Sequence, residues 1–444
     1  MMKWLKPYTK FFFIFALMLV LLLPQASILD LITERSFWHH QAIIDIKKSW
    51  PGEQTVIGPF LTIPYTVKKR QTQIILMPNQ LNIVANLESS DRYRGIHKVQ
   101  VYKTELAISG DFSKNQLISI QNKHLNDPIQ WGNPVLQYFV SDQRGIRSQP
   151  VINFNTNKKP IQFYPNIKTS GGIQATASAI NLQGEPNIPF NFNLTLTGMQ
   201  QLKFAQLANN IHIKLTSNWL HPSFTGEFLP ETREINKQGF TAQWASSAIS
   251  NNALQYFNDF IKQDFDTKTI KKSTVGVNLI QPVDIYKLSN RSIKYAQLFI
   301  FLTFIALILF ELLQKLPIHP IQYLLIGLEL SLFYLLLISL SEHISFGLSY
   351  FIAMIASVGL LTLYFSAILK DLRLGKMFGG SVGLLYGVLY VILQAESYAL
   401  LMGTLLLFAT LALLMLSTRH LDWYQLTENS IKKITPEIDH SEAE

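Results

Sequence analysis

The sequence predicts an α+β membrane protein with six transmembrane helices, one N-terminal and five C-terminal, and a large β-rich, sandwich-like domain between the first and second. Three observations carry this. Charged residues make up only 15% of the 444, well below the roughly 25% of an ordinary soluble domain. The deficit is uneven: residues 30–294 hold 28 Lys and Arg and 18 Asp and Glu, while apolar runs fill most of residues 295–417. Within 30–294 the apolar positions alternate with period two, the pattern of a half-buried strand. This composition excludes a disordered or collagen-like polymer.

A run of about 18 or more apolar residues is long enough to cross the hydrocarbon as a helix. Five such runs close the chain: Tyr295–Leu313, Ile321–Leu340, Phe346–Leu369, Met377–Ala395 and Tyr398–Ser417. Short connections join them, as in a compact bundle. A sixth run, Phe11–Leu29, opens the chain. Lys3, Lys6 and Lys10 precede its most apolar part, Phe11–Leu23, and Pro24-Gln25-Ala26-Ser27 comes after it, which resembles a secretory signal. Pro24, however, stands where a cleavage motif asks for a small residue. Apolar positions continue through Ile28, Leu31, Ile32 and Trp38. The expectation is therefore an uncleaved anchor whose helix continues beyond the membrane.

Basic residues in short loops set the orientation. Lys315 lies between the second and third spans, Lys370, Arg373 and Lys376 between the fourth and fifth, and Arg419, Lys432 and Lys433 after the sixth. The alternate loops, Ser341–Ser345 and Glu396–Ser397, hold no Lys or Arg. Both termini are thus expected in the cytoplasm and the large domain outside. The divisions are a cytoplasmic N-terminus (1–10), a first span (11–29), an exported, mainly-β domain (30–294), a five-helix bundle (295–417) and a cytoplasmic tail (418–444).

In the exported domain an initial helix gives way to strands. Phe192, Leu194 and Leu196 alternate with Asn193, Thr195 and Thr197, and Ile211, Ile213 and Leu215 with His212, Lys214 and Thr216. Phe240–Trp244 and Val275–Leu279 repeat the pattern. Such alternation gives a sheet with one packed and one solvated face. Whether one or two subdomains result stays open. The domain's net charge is +10, from 28 minus 18. Nucleic acid is not an expected partner, since the charges are scattered and the domain lies outside the cytoplasm. Ordinary solubility charge is the preferred reading, with anionic lipid headgroups as the alternative. The chain has no cysteine, which excludes disulfides, thiolate nucleophiles, Cys-ligated metals and a lipidated-Cys anchor.

Few motifs carry chemistry. Gly379-Gly380-Ser381-Val382-Gly383 fits G-x-S-x-G, but a nucleophile elbow needs a strand, a strained turn and a helix, and this string starts an apolar span. Gly379, Gly383 and Gly387 instead fall four apart on one helical face, the spacing for close helix–helix packing. Glu329 lies near the middle of a span, where an ionised carboxylate is costly. It reads first as a protonated acid bonded to a neighbouring helix, and second as a proton or substrate site. No second acid, Lys or Arg lies at comparable depth to act as its partner. Glu311, Glu342 and Glu396 lie near span ends, within reach of headgroups. His39-His40, His221, His319 and Glu342-His343 lack metal-ligand spacing, and no Walker loop or dinucleotide motif occurs. Neither metal nor cofactor is expected. The sequons Asn193-Leu-Thr195 and Asn290-Arg-Ser292 are too short to carry weight.

Longer strings are more specific. Ser217-Asn-Trp-Leu-His-Pro-Ser-Phe-Thr-Gly-Glu-Phe-Leu-Pro230, with Arg233, Gly239-Phe240 and Trp244, resembles a block of the bacterial inner membrane protein CreD family. So do Arg94-Gly95-Ile96 with Val101-Tyr102, Ser141-Asp-Gln-Arg-Gly-Ile146, and Pro282-Val-Asp284 with Tyr286, Arg291 and Lys294-Tyr295. His319–Leu328, Phe333–Leu337, Ser339–His343 and Asp422-Trp-Tyr424 extend the likeness over nearly the whole chain. The resemblance implies a bacterial inner (plasma) membrane protein with a periplasmic domain, associated with cell-envelope integrity. It also implies membership of the CreBC regulon and links to envelope-stress and β-lactam responses. It supplies no catalytic residue. Trp219, His221-Pro222, Phe224 and Phe228-Leu-Pro230 read equally as a packed turn region.

The function expected is therefore non-enzymatic: a periplasmic domain that contacts a lipid or protein partner, either an envelope protein or anionic headgroups. The alternative is a transporter or channel-like component using the helix bundle with Glu329. A membrane hydrolase comes third. Glu329, His221, Glu342 and His343 are the candidate functional residues, and Gly379, Gly383 and Gly387 the candidate packing residues.

Overall fold

The computed structural model describes residues 7–419 apart from 126, 155–159, 167–170, 179, 181, 184, 264, 266–269, 271–272, 280–284, 315–317 and 396–397. Lys315, Glu396, Pro282-Val283-Asp284 and Asp422-Trp423-Tyr424 thus lie outside the described residues, as do Lys3, Lys6, Lys432 and Lys433. The chain forms two compact units, divided at His39/His40 and at Pro282/Val283.

Helix α1 (Pro7–Val20) is followed by α2 (Leu22–Ser49), whose last ten positions open the β unit. Strands β1 (Gln54–Val67), β2 (Arg70–Leu76), β3 (Gln80–Arg94) and β4 (His97–Ser113) come next, then the short helix α3 (Asn115–Lys123). A run of shorter strands succeeds it: β5 (Gln130–Trp131), β6 (Val135–Val140), β7 (Val151–Phe154), β8 (Ile161–Gln162), β9 (Tyr164–Pro165) and β10 (Gly172–Thr176). The unit ends with β11 (Asn187–Met199), β12 (Gln201–Ala205), β13 (Asn210–Ser217), β14 (Pro222–Gly226), β15 (Thr232–Asn236) and β16 (Gly239–Ser247), helix α4 (Ala253–Lys262) and β17 (Thr274–Leu279).

These strands form two sheets. One runs β14-β17-β12-β1-β6-β10-β9, with β2 and β5 also on β1; the other runs β15-β16-β13-β3-β4-β11-β7-β8. Alternation explains the second. Leu81, Ile83, Ala85, Leu87, Phe192, Leu194, Leu196, Ile211, Ile213 and Leu215 are buried, whereas Asn82, Asn193, His212 and Lys214 are exposed. The packed face meets Leu61, Ile63, Leu136, Tyr138, Leu202 and Phe204 of the first sheet in one apolar cluster. Each buried Leu, Ile or Phe among them stabilises the fold by about 1.5–3 kcal/mol. The two sheets pack as a sandwich around this cluster, within one compact unit. On the far face of the first sheet, Phe257 and Phe260 of α4 pack with Ile57, Phe60 and Phe139.

The end of α2 is fixed to the sandwich by polar contacts within this unit. Arg144 Nη1 and Nη2 donate to the Lys48 and Lys47 carbonyls at 2.9 and 3.2 Å, satisfying the helix's last acceptors with a cation. Asp142 holds that guanidinium at 2.6 Å and accepts from Gly52 N–H at 3.0 Å. The Arg144 guanidinium beside Asp142 holds its carboxyl below the ordinary carboxylate value. Trp50 Nε1 donates to the Gly198 carbonyl at 3.1 Å, and the Arg92 and Arg147 guanidinium groups lie 4.9 and 5.2 Å from its ring centroid.

In the other unit α1 and the first part of α2 are joined by α5 (Ile285–Gln314), α6 (Pro320–Ser341), α7 (Phe346–Leu369), α8 (Leu372–Gln394) and α9 (Ala399–Thr418). Among the described residues five stretches are long and apolar enough to span a membrane: Phe12–Ser49, Ile285–Glu311, Pro320–Ser341, Phe346–Leu369 and Leu372–Gln394. The sixth expected span corresponds to a shorter apolar stretch of α9, Leu400–Leu416. Helices α5 and α8 begin upstream of their apolar runs, at Ile285 and Leu372. Asp371 starts α8 by accepting from Arg373 N–H at 2.7 Å, and His319 with Gln322 forms a reciprocal cap at the start of α6. The bundle core includes Phe304, Tyr323, Leu330, Phe333, Phe365, Phe378 and Tyr386, and Phe365 stacks on Phe378 with centroids 3.9 Å apart. Leu405, Phe408 and Leu411 on α9 are exposed, as a hydrocarbon-facing helix requires.

Candidate functional site

Glu329 sits half-buried on α6 with its Oε2 atom fully buried and without a hydrogen-bond partner. The Ser357 side chain of α7 interacts with the carboxyl. Ser357 Oγ lies 2.8 Å from the Tyr386 hydroxyl of α8, and Tyr350 Oη donates to the Tyr386 carbonyl at 2.7 Å. Phe299 and Phe333 press on the Tyr386 ring, each with centroids 4.4 Å apart. Tyr350 and Ser357 are two turns apart on α7 and so share a face. Three helices thereby converge on one carboxyl through hydroxyls. Glu329 is expected to meet a neighbouring helix without a charged partner, and among the described residues its neighbours are the serine of α7 and, beyond it, the tyrosine of α8. Such a group can hold and exchange a proton through a hydroxyl chain.

Glu342, expected near a span end, lies at one. It ends α6 with its side chain 11% exposed, 3.8 Å from Arg35 Nε of α2. It also accepts from Tyr286 Oη of α5 at 3.5 Å, and the Tyr286 ring lies 5.5 Å from His39. Glu342 therefore ties three helices at one level. Glu311 likewise accepts from Tyr323 Oη at 2.8 Å. His343 is exposed in the next turn. Among the described residues no three His, Asp or Glu converge as metal ligands.

The glycine face is only partly as expected. A Cβ on Gly379 would collide with Thr362 of α7, and one on Gly375 with Ser366. A Cβ on Gly383 would only touch Val358, at 3.7 Å, and one on Gly387 would meet nothing within 4 Å. Close packing is thus shifted one turn toward the start of α8, because positions four apart drift round a helix of 3.6 residues per turn and carry Gly387 off the face that Gly379 presents to α7. Ser381 lies inside α8 and donates back to the Phe378 carbonyl at 2.7 Å, so no strand–turn–helix elbow exists there.

His221 belongs to the sandwich, in the loop between β13 and β14. Its carbonyl accepts from Trp219 Nε1 at 2.9 Å, and the two rings meet edge to face. Asn218 anchors the loop by accepting from Ser89 N–H and Oγ at 2.8 and 2.9 Å. The bundle cluster and this loop are separate places, each in its own unit.

The family described as inner membrane protein CreD matches residues 6–424. Over 436 residues the chain is 34% identical to the inner membrane protein CreD of Escherichia coli strain K12, covering 94% of each chain. Helices able to span a membrane on either side of a large sandwich, matched from end to end, place this chain in the inner membrane protein CreD family.

Proposed function

We propose that this protein serves cell-envelope integrity and the envelope-stress response without catalysis, holding a lipid or protein partner on its sandwich. The sandwich is read as periplasmic and both termini as cytoplasmic. The observation that carries the proposal is the end of the eight-stranded sheet where β3 meets β4. Tyr93 and Ile96 are exposed at the β3–β4 hairpin, Leu220 in the loop after β13 and Ile235 on β15, all toward the end of the sheet where Leu87, Ser217 and Phe240 lie in register. Aromatic and branched side chains around a polar depression suit contact better than chemistry. The test is complementation of a null strain under envelope stress, with protein levels measured. Removing residues 40–282 while keeping the spans is expected to abolish rescue. Alanine at His221, Glu342, His343 or Ser381 is expected to preserve it. One folded, abundant and dead alanine variant would overturn the non-enzymatic reading.

The buried, unpartnered oxygen of Glu329 among Ser357 and Tyr386 favours a second reading, in which the bundle moves protons or a solute. Its test is Glu329→Gln in the same strain.

A further inference from the structure

We propose that the open end of the sandwich is a binding groove for a neutral glycan. The inference goes beyond the contact reading above and rests only on its placing residues 40–282 outside the cytoplasm.

Strands β3 and β4 stay paired well past the apolar core, to Arg94↔His97. The face that is apolar at Leu81, Ile83, Ala85 and Leu87 continues, two residues at a time, as Ser89, Asp91 and Tyr93. On β4 the positions opposite these are Tyr102, Gln100 and Lys98. A strand face aimed between two sheets is normally apolar to its end. Here it turns polar while the loop 218–221 crosses over it toward β14 in the other sheet. The space between is a groove of about 270 Å³, lined by Ser90, Asp91, Lys98, Gln100, Trp219 and His221 among others. That is slightly below the roughly 300 Å³ of an enclosed small-molecule site, so it suits part of a chain rather than a whole enclosed ligand.

The chemistry of the lining selects the class. Asp91 and Lys98 pair at 2.6 Å, so the polar wall offers acceptors and donors side by side with no net charge. Phosphate or a cation would need unbalanced charge there. The Trp219 N–H is already committed to the His221 carbonyl, so the indole offers carbon surface. Gln100 is 3% exposed and spends its amide N–H on the Ser90 carbonyl at 3.1 Å, leaving Oε1 without a partner. Aromatic carbon lining the same groove as a charge-balanced set of donors and acceptors matches a sugar ring, which presents C–H groups on a face and hydroxyls at its edge. The Asn218–Ser89 contacts hold the loop in place beforehand, which lowers the ordering cost of binding.

The experiment is calorimetric titration of the purified full chain in nanodiscs with tetramers of N-acetylglucosamine and of glucose. Saturable binding of either is expected, weakened at least about tenfold in Trp219→Ala and in Asp91→Asn, with the thermal midpoint of Asp91→Asn unchanged. If Trp219→Ala fails to fold, Asp91→Asn and Lys98→Met carry the comparison. No saturable binding by the wild type up to about 10 mM sugar would overturn the proposal, as would variants that bind like the wild type. Binding of anionic vesicles but not sugar, lost in the same variants, would also overturn it and assign the groove to a membrane surface. If a chain lacking 40–282 still rescues the null strain, the contact reading fails whatever the titration gives. If rescue is abolished and no sugar binds, only the glycan proposal fails.

Discussion

Glu329 is a carboxyl at span depth with one oxygen left over, and the amide of Glu329→Gln can keep the Ser357 interaction without charge. Under the contact reading, that variant inserts normally and rescues envelope stress. Loss of rescue at unchanged protein level would favour the proton-moving reading instead. Glycine substitutions separate packing positions that look alike in sequence. Gly379→Leu forces α8 off Thr362, an overpacking change that costs about 1–3 kcal/mol, and should lower the amount of inserted protein. Gly387→Leu points into open space and should accumulate like the wild type. Equal amounts of the two variants on a membrane immunoblot would refute the shifted contact.

At the scale of elements, the joint between α2 and the sandwich depends on Asp142 as much as on Arg144. The folded Asp142 carboxyl is held below its ordinary value of 3.8 by the Arg144 guanidinium. Its contribution to stability is therefore present above that ordinary value and is lost as pH falls through the folded one. Asp142→Asn should lower the unfolding midpoint at neutral pH, and the gap from the wild type should begin to narrow as pH falls below about 3.8 and close below the folded value. A gap that persisted in acid would show that the carboxyl's charge is not what holds the joint. Helix α4 gives a larger effect. Phe260 is 0% exposed and lies against Phe60 and Phe139, so Phe260→Ala should cost about 3–5 kcal/mol in thermal unfolding of the full chain.

Over the whole molecule, topology is the broadest expectation. Reporter fusions should show cytoplasmic activity after Lys376 and exported activity within 40–282 and after His343. Exported activity after Lys376 would reverse the bundle. Much of this plan is written in one dimension. Apolar length gives the spans because hydrocarbon thickness is a fixed ruler, and period-two alternation gives β11, β13 and β16 because one face of their sheet is solvated. Strand β1 escapes that reading. Val56, Ile57, Phe60 and Leu61 are all buried, since the core covers one face of its sheet and α4 the other, and a strand buried on both sides shows no alternation. The sequence by itself thus determined the class, the order of spans and sandwich, and the cost of an acid at position 329. Tertiary structure alone decided what that acid meets, which glycines touch α7, and where the inner face of β3 opens into a groove. Those outcomes depend on residues far apart in the chain arriving at one place, and no local period records such arrivals.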